Sequence, residues 1–156
     1  MTTPNVPTRR LGSHRDSPEI PILGLGLMGL SGKSLHITFP PCCSCRSRLA
    51  NHLDHFLAFY GTKRSDEDRL ALLDRAFELG CTHWDSAAMY GDNEDLLGAW
   101  FEKTGNRNKI FLATKFGNKA LPDGTRMICN DPDYIRAEVE NSLRRLKTDY
   151  IDLLYW

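Results

Sequence analysis

Short apolar runs alternate with amphipathic helical stretches along this chain, an order that predicts an α/β protein with a parallel sheet. Residues 20–31, 81–86, 109–117 and 149–156 are the apolar runs, and one helix-length segment separates each from the next. Parallel strands joined in this way close either as a doubly wound sheet or as a (β/α)8 barrel. In the barrel, functional side chains gather at the C-terminal ends of the strands. Asp85 and Lys115 both stand at such ends, one strand apart, and this favours a barrel. About 250 residues make a complete one. The 156 residues here are expected to hold about the first four strands and three helices.

Each element has a local reason. Residues 1–19 are polar and carry three prolines, so they read as a loose arm ending in a turn. Residues 20–31, IPILGLGLMGLS, are apolar and glycine-rich, which suits a buried strand whose end lets a ligand approach the backbone. Ser65 can cap a helix, and Asp66, Glu67 and Asp68 suit the positive end of its dipole. Leu70, Leu73, Ala76 and Phe77 then form one apolar stripe, and Gly80 ends the helix. A strand over 81–86 follows. The next helix runs from Asn93 to about Lys103, with Leu96, Leu97, Trp100 and Phe101 on its apolar side. After a polar turn at 106–109 comes a strand over 109–117, then a loop containing Pro122, Asp123 and Gly124. Asp131 and Pro132 have the character of a cap and a first helical residue. Ile135, Val139, Leu143 and Leu146 space out the buried face of that third helix, and 149–156 is the last strand.

Composition narrows the functional classes. The formal charge is zero, so no net field draws in nucleic acid or an anionic membrane. No apolar run approaches the roughly 20 residues that cross a bilayer, and the N-terminal stretch lacks the apolar core of a secretory signal. The five cysteines are odd in number and form no regular framework, which argues for free thiols in a reducing, cytoplasmic compartment.

The chemistry concentrates in WDSAAMYG, residues 84–91, and ATKFG, residues 113–117. A free tyrosine has a pKa near 10, too high for an effective proton donor at neutral pH. A neighbouring ammonium stabilises the phenolate, and a carboxylate keeps that ammonium charged and oriented. Asp85, Lys115 and Tyr90 together therefore make a usable general acid, able to protonate a carbonyl oxygen as hydride reaches its carbon. Taken singly, each has a plainer role: a tyrosine after a strand packs its ring, and a lysine there is solvated.

The segments LGLGLMGLS, LGCTHWDSAAMYGDNEDLLGAW, IFLATKFG and SLRRLKTDYIDLLYW, in that order, resemble the N-terminal half of the aldo-keto reductases. The resemblance spans most of residues 20–31 and 58–156. It implies a (β/α)8 barrel that binds NADP(H) without a Rossmann motif and acts on a small carbonyl substrate. It also implies a catalytic tetrad of which Asp85, Tyr90 and Lys115 fill three places, with Tyr90 as the acid. Gly26, Leu27 and Met28 would sit beside the nicotinamide, with Asp85 near both the cofactor and Lys115. Gly24, Gly26 and Gly29 do spell the dinucleotide fingerprint, but no helix or correctly placed acidic residue follows, so they read as a barrel strand end.

The sequence departs from that pattern twice. The family's histidine after the fourth strand has no counterpart among His14, His36, His52, His55 and His83, and His83 is assigned to packing. Residues 1–156 are therefore expected to be an incomplete reductase domain of weak or no activity, or else a non-catalytic half barrel. Its open sheet edges would favour marginal stability and self-association. Ile110, Leu112, Ile151 and Leu153, or the alternate face of their strands, would meet water. Residues 32–57 form an atypical insert, expected to be disordered. Cys42, Cys43, Cys45, His52 and His55 are metal-ligand types, but their spacing matches paired zinc ligands poorly, so no metal is assigned. The codons possible for Gly32-Lys33-Ser34 and Ala50-Asn51 resemble an intron start and a branch site, which makes retained intron the preferred reading.

Overall fold

A computed structural model of the chain describes residues 6–31, 63–121 and 125–156. The insert at 32–57, with its cysteines and histidines, lies outside the described residues, as does the Pro122–Gly124 loop. Four parallel strands form the central sheet in the order β3 (Gly24–Gly26), β4 (His83–Asp85), β5 (Phe111–Lys115) and β8 (Leu153–Tyr155). Three helices connect or flank them: α1 (Asp66–Glu78), α2 (Asn93–Thr104) and α3 (Pro132–Leu146). The expected order of strands and helices is thus observed, with shorter strands than the apolar runs suggest.

The helix signals act as read. The Ser65 hydroxyl accepts from the Asp68 amide at 3.2 Å, and Asp131 caps α3 by accepting from the amides of Asp133 and Tyr134 at 2.9 and 3.2 Å. After α1, Gly80 takes a φ of 76°, a left-handed conformation that a side chain would oppose.

Two hairpins depart from expectation. The arm is not loose throughout: β1 (Thr8–Arg10) pairs antiparallel with β2 (Glu19–Pro21). Beyond Lys115, β6 (Asn118–Ala120) pairs antiparallel with β7 (Arg126–Ile128), where a loop was expected. Both are three-residue ladders, too short to show a period in sequence.

Register sorts the sheet into two faces. Leu25 pairs with Trp84, and Trp84 with Leu112. These side chains join Leu27, Leu73, Leu97, Trp100, Phe101 and Ile110 in one core beneath the helices. The rings of Trp84 and Trp100 lie 4.8 Å apart, and each indole nitrogen is satisfied: Trp84 donates to the Cys81 carbonyl and Trp100 to Asp74, both at 2.7 Å. Ile110 and Leu112 are therefore buried under helices rather than wet, and Ile151 packs against them. Leu153, grouped with them in the sequence, instead pairs with Ala113 on the other face. Both placements correct the first of the two faces considered. The alternate face carries His83, Phe111, Leu153 and Tyr155, all half-buried. His83 packs edge-on against Phe111 at 5.5 Å, in the packing role expected of it. In the sheet as described, β3 and β8 are the two edges.

Candidate functional site

Asp85 ends β4 and Lys115 ends β5, so parallel pairing brings both to the same rim of the sheet. Asp85 pairs in register with Ala113, one step below Lys115 on the same face. The lysine Nζ donates to Asp85 Oδ1, and also to the Ser86 carbonyl at 2.8 Å. Partial burial pulls the Lys115 pKa down. Its hydrogen bond to Asp85, its interaction with Tyr155 and the nearby acidic groups outweigh that, and the pKa stands above its ordinary value. The lysine is held as an ammonium.

Tyr90 sits in the turn between β4 and α2. Backbone bonds fix this turn to the end of β5: the Ser86 amide donates to Ala113 O at 2.9 Å and the Ala88 amide to Lys115 O at 3.0 Å. From the other side, Arg145 of α3 donates to the carbonyls of Ala88 and Gly91, bracketing Tyr90. Arg145 is in turn held by Glu94 at 3.2 Å and Asp95 at 2.9 Å. The Tyr90 ring centroid stands 5.2 Å from Lys115 Nζ. All three residues singled out in sequence thus meet at one rim.

The turn after β3 is built by buried polar groups. Leu27 donates its amide to Asp85 O at 2.9 Å, and its carbonyl accepts from Asn93 Nδ2 at 2.6 Å. Ser31 donates to Asn93 Oδ1 at 2.7 Å, and both Ser31 and Asn93 are buried. The Leu27 side chain is likewise buried in the core, so it offers a ligand no surface. Gly26 and Met28 are exposed, and beyond its two chain neighbours no described atom lies within 4 Å of where a Gly26 side chain would begin. Gly26 pairs with Asp85. A flat ring can therefore lie against this backbone beside the carboxylate, which fits a nicotinamide.

Sequence reasoning missed Asn93, Glu94 and Tyr155. Glu94 is fully buried at the start of α2 and accepts from Thr114 at 2.9 Å, tying the helix to the residue before Lys115. Burial pushes its carboxyl above the ordinary value, against the pull of Thr114 and Arg145. Tyr155 pairs in register with Lys115, and its hydroxyl donates to Asp85 Oδ2. Only the alternation of β8 could have hinted at it, by placing Tyr155 on the face shared with Lys115. A cavity of about 240 Å³ opens beside Lys115, with Met89, Phe116, Tyr134 and Trp156 in its walls.

The arrangement has relatives. The sequence profile of the Aldo/keto reductase family matches residues 57–156. Aldo-keto reductase str7 of Strobilurus tenacellus is 52% identical over 97 residues, which is 62% of this chain and 27% of that protein. Aldo-keto reductase yakc [NADP(+)] of Schizosaccharomyces pombe is 39% identical over 154 residues, 97% of this chain and 36% of that protein. Among solved structures, the holo form of the aldo-keto reductase AKR11C1 from Bacillus halodurans superposes with a TM-score of 0.64 at 30% identity. The match covers 96% of this chain and 39% of that one. The chain thus spans between about a quarter and two fifths of the length of these relatives. Its four parallel strands correspond to part of their (β/α)8 barrel. With the profile matching well over half of its length, this chain belongs to the aldo/keto reductase family.

Proposed function

We propose that this chain carries the proton-donating part of an NADP(H)-dependent carbonyl reductase, with Tyr90 as general acid. One observation carries the reading: the Lys115 ammonium is bonded to Asp85 and lies 5.2 Å from the Tyr90 ring, at the C-terminal rim of parallel strands. The family makes the chain kin to oxidoreductases, and one relative's name includes NADP(+).

The residues divide the work. Gly26 and Met28 would lie against the nicotinamide, with Asp85 beside it. NADP(H), when bound, supplies or accepts the hydride. Asp85 keeps Lys115 charged. Lys115 favours the phenolate that Tyr90 becomes when it gives its proton to the carbonyl oxygen. The cavity beside Lys115 is where the carbonyl compound would enter. In the reverse direction the same tyrosine takes the proton from an alcohol.

The purified chain with NADPH and a panel of aldehydes and ketones tests this. In a chain that spans only about a third of its relative's length we expect weak carbonyl-dependent consumption of NADPH, and a further fall of about a hundredfold in Tyr90→Phe, the usual worth of a positioned general acid. A chain that neither binds NADPH nor consumes it, or a Tyr90→Phe variant with undiminished turnover, would refute the proposal.

A further inference from the structure

A second phenol reaches the same cluster from the edge strand. Tyr155 lies on β8, and its backbone pairs with Lys115. Its hydroxyl crosses β5 to the β4 carboxylate and donates to Asp85 Oδ2, while Lys115 donates to Asp85 Oδ1. The two carboxylate oxygens are thus taken from opposite sides by different residues. Beneath this bridge the same face holds Ala113, the register partner of Asp85, whose small side chain leaves the crossing open. The Tyr155 ring centroid is 5.0 Å from Lys115 Nζ, close to the 5.2 Å of Tyr90, so the ammonium stands between two phenols.

The two phenols are not equivalent. Tyr155 spends its proton on Asp85, whereas the Tyr90 hydroxyl has no hydrogen-bond partner among the described residues. Burial, and then the bond to Asp85, push the Tyr155 hydroxyl above its ordinary pKa despite the neighbouring lysine. It therefore stays protonated and remains a donor.

We propose that Tyr155 is a positioning residue, whose hydroxyl holds the Asp85 carboxylate so that its other oxygen faces Lys115. The assignment rests on the site reading above, in which Asp85 and Lys115 act together. A carboxylate with one donor can rotate about its terminal bond, and a second donor on the other oxygen fixes it. Without that donor, Asp85 would spend part of its time turned from Lys115, and the ammonium would lose part of its stabilisation.

The test uses the full chain. Its lysines are reductively methylated with a carbon-13 label, and the Lys115 resonance is followed through a pH titration in the unaltered protein, Tyr155→Phe and Asp85→Asn. Tyr155→Phe removes only the hydroxyl. It should lower the Lys115 midpoint by about half a pH unit, Asp85→Asn should lower it further, and adding Tyr155→Phe to Asp85→Asn should change it no more. A further drop in that double variant would mean that Tyr155 acts on Lys115 directly, and the positioning role would fall. If Asp85→Asn moves the midpoint and Tyr155→Phe does not, the role given to Tyr155 is wrong while the Asp85–Lys115 pairing stands. If neither moves it, both fall. Should Tyr155→Phe fail to fold, judged by the near-ultraviolet dichroism of Trp84 and Trp100, ring-labelled tyrosine in the unaltered chain decides. The Tyr155 hydroxyl-bearing carbon should shift between the unaltered chain and Asp85→Asn, and a signal blind to that substitution overturns the proposal.

Discussion

Asn93 shows how one buried amide can shape a rim it never reaches. It is the first residue of α2, yet its side chain bonds the Leu27 carbonyl and the Ser31 hydroxyl, and so holds the turn after β3 in place. Asn93→Ala removes both bonds, but the Leu27 carbonyl keeps the Leu30 amide at 2.9 Å and the Ser31 hydroxyl can turn to Asp92, so each loss is that of one net hydrogen bond, about 0.5 to 1.5 kcal/mol. We expect a loss of about 1 to 3 kcal/mol in urea unfolding, with weaker NADPH binding; an unchanged midpoint would refute it. Asp85, Tyr90 and Lys115 were legible in sequence because each follows an apolar run at a strand end. Asn93 and Tyr155 were not. Their partners lie 66 and 70 residues away in sequence, and only register and packing bring them together. Leu27 was legible as part of the turn but not as a core side chain, since in GLGLMG nothing local says which leucine faces the helices.

The helices were the most readable elements and the hairpins the least. Ser65, Gly80, Asp131 and Pro132 act locally, through the chain's own amides and φ angles, so their signals survive without tertiary context. β1, β2, β6 and β7 depend on a partner strand, and three residues give no pattern to see. The packing of α2 on α3 was also invisible. At Gly98 a side chain would begin 2.2 Å from the Arg145 carbonyl oxygen and 3.0 Å from the Leu146 carbonyl carbon. Backbone, unlike a flexible side chain, cannot turn aside. Gly98→Ala must push α3 away and loosen the Arg145 clamp on the Tyr90 turn. We expect a cost of about 1 to 3 kcal/mol, read as a lower Tm with a further loss of reductase activity. A Tm at or above that of the unaltered chain would contradict the packing.

Taken together, the chain joins an apolar layer under the helices to a polar rim held by ion pairs. The rim's acid sensitivity follows from Asp92. Burial would raise its pKa, but hydrogen bonds from Arg69 and Lys63 and the charge of Arg69 outweigh this and hold it well below the usual carboxylate range. Arg69 reaches Asp92 Oδ1 and Oδ2 at 3.2 and 3.0 Å and also pairs with Asp66. A carboxylate depressed in the folded state contributes stability above its unfolded pKa of about 3.9, and loses it as pH falls toward its folded value. Asp92→Asn should therefore be less stable than the unaltered chain at pH 6, with the gap closing toward about pH 2. A gap that is the same at both ends would exclude the linkage. Among the described residues no helix is long and apolar enough to cross a membrane.

The central claim is that Lys115 and Tyr90 operate as one proton-donating unit. A double-variant cycle on NADPH-dependent aldehyde reduction, with Tyr90→Phe, Lys115→Met and the two combined, tests it most directly. Residues that act as a unit give strongly non-additive losses. Each single variant should lower kcat/KM about a hundredfold or more, and the double variant should be no worse than the poorer single one. Losses that multiply would mean that the two groups contribute separately and that the lysine does not act through the phenol.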